Sequence, residues 1–196
     1  MRKNIVVFDI ETKNAFSDVG GRNNLKELGI SVLGLYDYAD AQYKIYEEKE
    51  LTIFVERLQK SPLLVGFNSR KFDVPVLQNY VPFNLSKLPQ LDIMEQLLNA
   101  LGHRVSLDSV AQATLGSSKS GSGLDAIKFF REGRIEELKK YCMDDVRITK
   151  EIFEYGATHK ELFYTSKFGN GKRRAVVNWS VEHPYEQTPS VQGSLF

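Results

Sequence analysis

Residues 5–12 read Ile5-Val6-Val7-Phe8-Asp9-Ile10-Glu11-Thr12, and how this stretch is read decides the fold. As far as Ile10 the run is short, apolar and rich in β-branched residues, the pattern of a buried strand. Two carboxylates interrupt it. Asp9 and Glu11 are two positions apart, so on a strand both side chains leave the same face. With nothing between them they would repel, and one would take up a proton; a shared cation removes that cost. Taken alone, Asp9-Ile10-Glu11-Thr12 also fits a strand end with a solvated glutamate, because so short a match arises by chance.

Two further acidic blocks follow in order. Gly66-Phe67-Asn68-Ser69-Arg70-Lys71-Phe72-Asp73 comes after a second apolar run, and Tyr141-Cys142-Met143-Asp144-Asp145 lies in a long helical segment. Asp73 stands at a helix start, so by itself it also reads as a cap. Tyr141 and Asp145 are four apart and share one helix face. That face carries the apolar stripe, so Tyr141 also fits a core position. Asp145 needs a partner, and the nearby Lys139, Lys140 and Arg147 fall on other faces. Asp144 is one step off the stripe and reads as solvated. Four carboxylates and a tyrosine converging on one cleft would hold two hard divalent ions, the equipment for hydrolysing a phosphodiester.

The bulk numbers agree with one core in a chain of 196 residues. Apolar residues make up 42% and charged residues 26%, ordinary values for a globular protein. The 26 basic and 25 acidic side chains give a formal charge of +1, so phosphate binding must come from local patches and bound metal. With a single cysteine, Cys142, neither an intrachain disulfide nor an ordinary zinc site can form. Cys142 itself reads as core. The N-terminal apolar run is too short for a signal peptide or a membrane span, so a cytoplasmic location is expected.

Beyond the first strand, residues 13–29 are polar and contain glycine, an excursion or lid. Ile30–Tyr38 and Gln42–Tyr46 read as strands, Leu51–Leu58 as an amphipathic helix and Leu63–Phe67 as a fourth strand. Helices are expected over Val74–Tyr80, after Gln90-Leu91-Asp92, around Leu107–Leu115, and from Ile135 to about Tyr155. Gly116–Gly123 reads as a mobile loop. Leu162–Phe168 and Arg173–Trp179 flank Gly169-Asn170-Gly171, a hairpin signature. Three strands in series, a helix and a fourth strand define an α/β fold with a mixed sheet. The first three strands would run antiparallel, and the helical return makes the fourth parallel to the first. The expected division is a main domain over 1–160, a hairpin appendage over 161–180 and a flexible tail over 181–196.

The order and spacing of the acidic blocks, with the YxxxD form of the last, resemble the DEDD superfamily of 3′–5′ exonucleases in its tyrosine-bearing branch. Gly66-Phe67-Asn68 with Phe72-Asp73-Val74-Pro75, and Ser106-Leu107-Asp108-Ser109-Val110-Ala111, are similar to the editing domain of family-B DNA polymerases. The resemblance covers about residues 3–156, and at this length no polymerase domain is expected. It implies a ribonuclease H-like three-layer fold and two divalent cations, Mg²⁺ or Mn²⁺. Asp9, Glu11 and Asp145 would ligate one ion, Asp9 would bridge to a second, and Asp73 would hold the second. Tyr141 would orient the attacking water or the scissile phosphate. The histidine branch is disfavoured, because the position five before Asp145 is Lys140. Asp92, where the family often has an acid, reads as a helix cap more readily than as a supporting group.

For the substrate, Phe8, Phe67 and Phe72 flank the acids and can stack a terminal base if they do not turn inward. Thr12 and Asn68 sit at strand ends within reach of a nucleotide. Lys119 in the Gly116–Gly123 loop, Arg70-Lys71 and Lys172-Arg173-Arg174 are the basic groups that can follow a backbone. Single-stranded DNA is the expected substrate. An exoribonuclease, a structure-specific nuclease or a non-catalytic binding module on the same fold are the alternatives. The terminal Gln192-Gly193-Ser194-Leu195-Phe196 resembles the peptide with which bacterial replication and repair proteins bind the sliding clamp. Gln192, Leu195 and Phe196 would be its anchors.

Overall fold

In the computed structural model, which describes residues 3–117, 123–166 and 171–180, the first strand is the centre of the sheet. β1 (Ile5–Thr12) is flanked on one side by β2 (Ile30–Asp37) and β3 (Gln42–Glu47), and on the other by β4 (Leu63–Gly66) and β5 (Gln90–Asp92). β1 pairs antiparallel with β2, from Val6 opposite Asp37 to Thr12 opposite Ile30, with a shift of register between Glu11 and Thr12. β2 and β3 are antiparallel as well, while β4 runs parallel to β1 and β5 parallel to β4. This is the mixed sheet that the sequence predicts.

Alternation along β1 builds the layers. Val6, Phe8 and Ile10 face one side, where α1 (Leu51–Leu58) and α2 (Asp73–Leu77) cover them with Phe54, Leu58, Val76 and Leu77. Ile5 and Val7 face the other side and meet α3 (Ile93–Leu101), α4 (Leu107–Leu115) and α6 (Ile135–His159) through Leu97, Val110, Ile148 and Ile152. Burying each such side chain contributes about 1.5–3 kcal/mol. The three-layer α/β architecture follows from a central strand that is apolar on both faces.

Several boundaries differ from expectation. Instead of one helix over Val74–Tyr80, the chain forms the short α2 and then a 3₁₀ turn, Gln78–Tyr80. α6 runs to His159 and is stopped by Lys160 in a left-handed conformation (φ 58°). α5 (Gly123–Arg131) begins where a loop was expected to end. The hairpin strands are β6 (Glu161–Thr165) and β7 (Lys172–Val176), paired from Glu161 opposite Val176 to Thr165 opposite Lys172. The hairpin shares the core of the α6 side, since Leu162, Tyr164 and Ala175 belong to the same buried cluster as Ile5 and Val7. Most of the expected mobile loop with Lys119, the hairpin turn at Gly169-Asn170, and the tail with Gln192, Leu195 and Phe196 lie outside the described residues. Among the described residues, no helix is long and apolar enough to cross a membrane.

Candidate active site

The site forms where α6 crosses the sheet. Gly34 on β2 lies opposite Asp9, and a Cβ there would stand 3.0 Å from both Cys142 Sγ and Val146 Cγ2. Its missing side chain lets α6 come down onto the strands. One ligand atom from each of Asp9, Glu11 and Cys142 lies within 4.8 Å of the others. The Cys142 thiol is fully buried and donates to the Asp9 carbonyl oxygen at 3.7 Å. Burial pushes its pKa well above the usual thiol range, and the charges of Asp9, Glu11 and Asp145 push it further. The thiol therefore stays protonated. Asp145 is felt at the same point because it lies three residues along α6 from Cys142, and both side chains are buried.

Asp73 arrives from the opposite side. β4 ends at Gly66, where a Cβ would be 2.5 Å from the Ser69 side chain, so only glycine permits this tight return. Asn68 follows with a left-handed backbone (φ 64°). Asp92 holds the turn: Oδ1 accepts the Asn68 N–H at 2.8 Å and Oδ2 the Arg70 N–H at 3.0 Å. It also caps α3 by accepting the Glu95 N–H, as the cap reading predicts. The chain then enters α2 with Asp73, whose Oδ1 accepts the Ile10 N–H at 3.2 Å, between the two acids of β1. Burial, opposed by hydrogen bonds from its own N–H and that of Ile10, pushes the Asp73 carboxyl up to about 7; the charges of Asp92 and Asp145 add to the rise.

Asp9, Glu11, Asp73 and Asp145 thus converge from β1, α2 and α6. Their donors are carboxylate oxygens, so the set fits hard divalent cations such as Mg²⁺ or Mn²⁺. The two described histidines, His103 and His159, are on the surface, away from these acids.

A cleft of about 460 Å³ opens beside Glu11. Thr12 and Phe72 line it, together with Asn14, Phe16, Leu28, Leu124 and Ile127. The Phe16 and Phe72 rings meet edge to face at 5.9 Å. An Asp18–Arg131 ion pair at 2.5 Å ties the 13–29 excursion to α5. The lining from Phe16, Leu124 and Ile127 was not foreseen; Phe16, a large apolar residue in a polar stretch, was the available signal.

Phe8 is not part of this cleft. Alternation sends it to the α1 side of the sheet, where it is 1% exposed and its ring lies 6.2 Å from that of Phe54. The expectation that it contacts a base is corrected: it is a core residue. Phe67 is half-buried against the α6-side core. Asn68 is occupied by Arg104, which donates from Nη2 to its Oδ1 at 2.7 Å.

The family model described as RNase_H superfamily matches residues 6–156, and the chain belongs to that superfamily. No curated protein matches it. Among solved structures it resembles the family B DNA polymerase of the hyperthermophilic archaeon Pyrobaculum calidifontis, with TM-score 0.59 and 19% identity over 78% of this chain and 24% of that one. It also resembles Trypanosoma brucei RNase D, with TM-score 0.56 and 19% identity over 78% of this chain and 57% of that one. The same RNase D in complex with RNA U12 gives TM-score 0.52 and 20% identity, covering 78% and 55%. The chain therefore spans less than two thirds of each of these proteins, and the likeness is one of fold.

Proposed function

We propose that this protein is a metal-dependent 3′–5′ exonuclease that shortens single-stranded DNA and releases nucleoside 5′-monophosphates, in repair or replication. The observation that carries this reading is the arrangement in which Asp9 and Glu11 lie beside the buried Cys142 thiol, which also feels the charge of Asp145, while Asp73 reaches the Ile10 N–H between the two acids of β1. Asp9, Glu11 and Asp145 would hold one cation, and Asp73 with Asp9 a second. Such cations polarise a phosphoryl oxygen and acidify water. Tyr141 orients the scissile phosphate or the attacking water, and the cleft beside Glu11 takes the terminal nucleotide between Thr12 and Phe72.

The likeness to an RNase D bound to RNA U12 favours a second reading, an exoribonuclease with the same centre. Labelled single-stranded DNA, duplex and RNA, each with Mg²⁺ or Mn²⁺, separate the two. Progressive loss from the 3′ end, abolished by chelation and by Asp9→Ala or Asp145→Ala, is expected. Wild-type rates in either variant would mean that the centre is elsewhere. Within this reading the terminal QGSLF tethers the enzyme to a bacterial sliding clamp. Titrating purified clamp against the intact chain and one lacking residues 192–196 tests that, since equal binding by both ends it.

A further inference from the structure

Asp9 and Glu11 lie in the carboxyl-terminal half of β1, beyond its last residue paired with β4, and Asp73 follows the carboxyl end of β4, in the crevice where open α/β sheets place ligands. That crevice does not stop at the acids. Asn68, which follows β4, is bound by Arg104 of the α3–α4 turn, and Arg104 lines a second cavity of about 120 Å³. Its other walls include His103, Ser109, Tyr164 and Thr165, so it lies at the seam between the α3–α4 corner and the β6–β7 hairpin.

The seam is a built surface. Ser109 Oγ donates to the Thr165 carbonyl oxygen and accepts the Thr165 N–H, both at 3.0 Å. Thr114 Oγ1 does the same for Phe163, at 2.8 and 2.9 Å. Two α4 hydroxyls thus stitch β6 to the helix and fix the hairpin beside the cavity. At the mouth, the exposed His103 ring lies edge to face against Tyr164, with centroids 5.7 Å apart. Arg104 is exposed on one rim. Arg173 pairs across the hairpin with Tyr164 and so leaves the same face, also exposed. Among the described residues neither guanidinium is in an ion pair, whereas Arg174 is paired with Glu161 and Arg70 with Glu95.

We infer that this seam is a second binding site for single-stranded nucleic acid, taking the part of the strand that lies 5′ of the residue being cleaved. Arg104 and Arg173 neutralise a backbone phosphate, and the His103 ring gives a base its stacking surface. Asn68, touched by Arg104 and adjoining the Asp73 turn, joins this site to the catalytic one. The inference rests on the nuclease reading above and extends it to strand length.

The test is steady-state cleavage, in Mg²⁺ or Mn²⁺, of strands of about 3 and about 12 nucleotides. The wild type should show a lower KM on the long strand. Arg104→Glu and Arg173→Glu, separately and together, should erase that advantage, raising the long-strand KM roughly ten-fold and flattening its salt dependence. Both side chains are exposed, so an unchanged melting temperature certifies the fold. Equal wild-type KM on both lengths, or variants that keep the length advantage, would overturn the second site while leaving the nuclease intact. An equal loss on both lengths would show Arg104 acting only through Asn68, and also overturns it. Cleavage of neither strand by the wild type would sink the nuclease reading itself.

Discussion

Asp73 shows how one residue would couple the fold to the cation proposed above. Its carboxyl is held at about 7 in the folded chain against an ordinary 3.8. Between those values the unfolded chain is ionised while the folded one keeps the proton, so the folded state loses stability as pH rises from about 4 to about 7. A cation held by Asp73 as proposed would require the carboxylate and reverse the loss. In chelator the melting temperature should therefore fall over this window, and the gain from added Mg²⁺ or Mn²⁺ should grow towards pH 8. Asp73→Asn should flatten the slope and shrink the cation gain; an unaltered pH profile in that variant would refute the coupling. Tyr141 makes a second prediction at this scale. Losing only its hydroxyl, Tyr141→Phe should lower turnover by about one to three decades with little change in melting temperature. Normal turnover with a large stability loss would make it a core residue instead. These residues were legible because strand and helix periods put Asp9 with Glu11 and Tyr141 with Asp145. Phe8 was misread by proximity: it adjoins Asp9 in sequence, and for that reason faces away from it. Arg104 was invisible, because its place depends on a turn that Asp92 builds.

At the scale of elements, the decisive contact is α6 on β2. Gly34→Ala would place a methyl 3.0 Å from Cys142 Sγ and Val146 Cγ2, so α6 must shift by a few tenths of an ångström, carrying Tyr141 and Asp145 with it. Misplacing catalytic groups is costly even when packing adapts, so kcat should fall at least ten-fold while stability drops by about 1–3 kcal/mol. Turnover per folded molecule distinguishes the two effects, and an unchanged value would mean that the approach of α6 is not tuned. The strands and α1 were legible from apolar periodicity alone. α5 was not: it starts at the last glycine of a Gly/Ser-rich stretch, and Ala126 is its one buried residue. Its role emerges from tertiary placement, where Leu124 and Ile127 wall the cleft.

For the whole molecule, the hairpin was legible as a hairpin but not as part of the main core, since nothing local tells which surface it covers. Trp179, just after β7, decides that. Its ring stacks on Phe153 of α6 at 6.4 Å, its indole N–H donates to the Phe153 carbonyl oxygen at 2.9 Å, and its edge fills the space over Gly156. Lys160 closes the join by donating to the Trp179 carbonyl oxygen. These contacts lie on the C-terminal half of α6, beyond Asp145, so the packing of the hairpin and the proposed chemistry fall on different parts of one helix. Trp179→Ala removes a buried aromatic and should cost about 3–5 kcal/mol, lowering the melting temperature by about 10 °C in a chain of this size. Cleavage of a short strand per folded molecule should persist, because the acids keep their supports on β1, α2 and the first half of α6. If instead turnover per folded molecule collapses with the melting temperature, the hairpin and the catalytic centre form one cooperative unit.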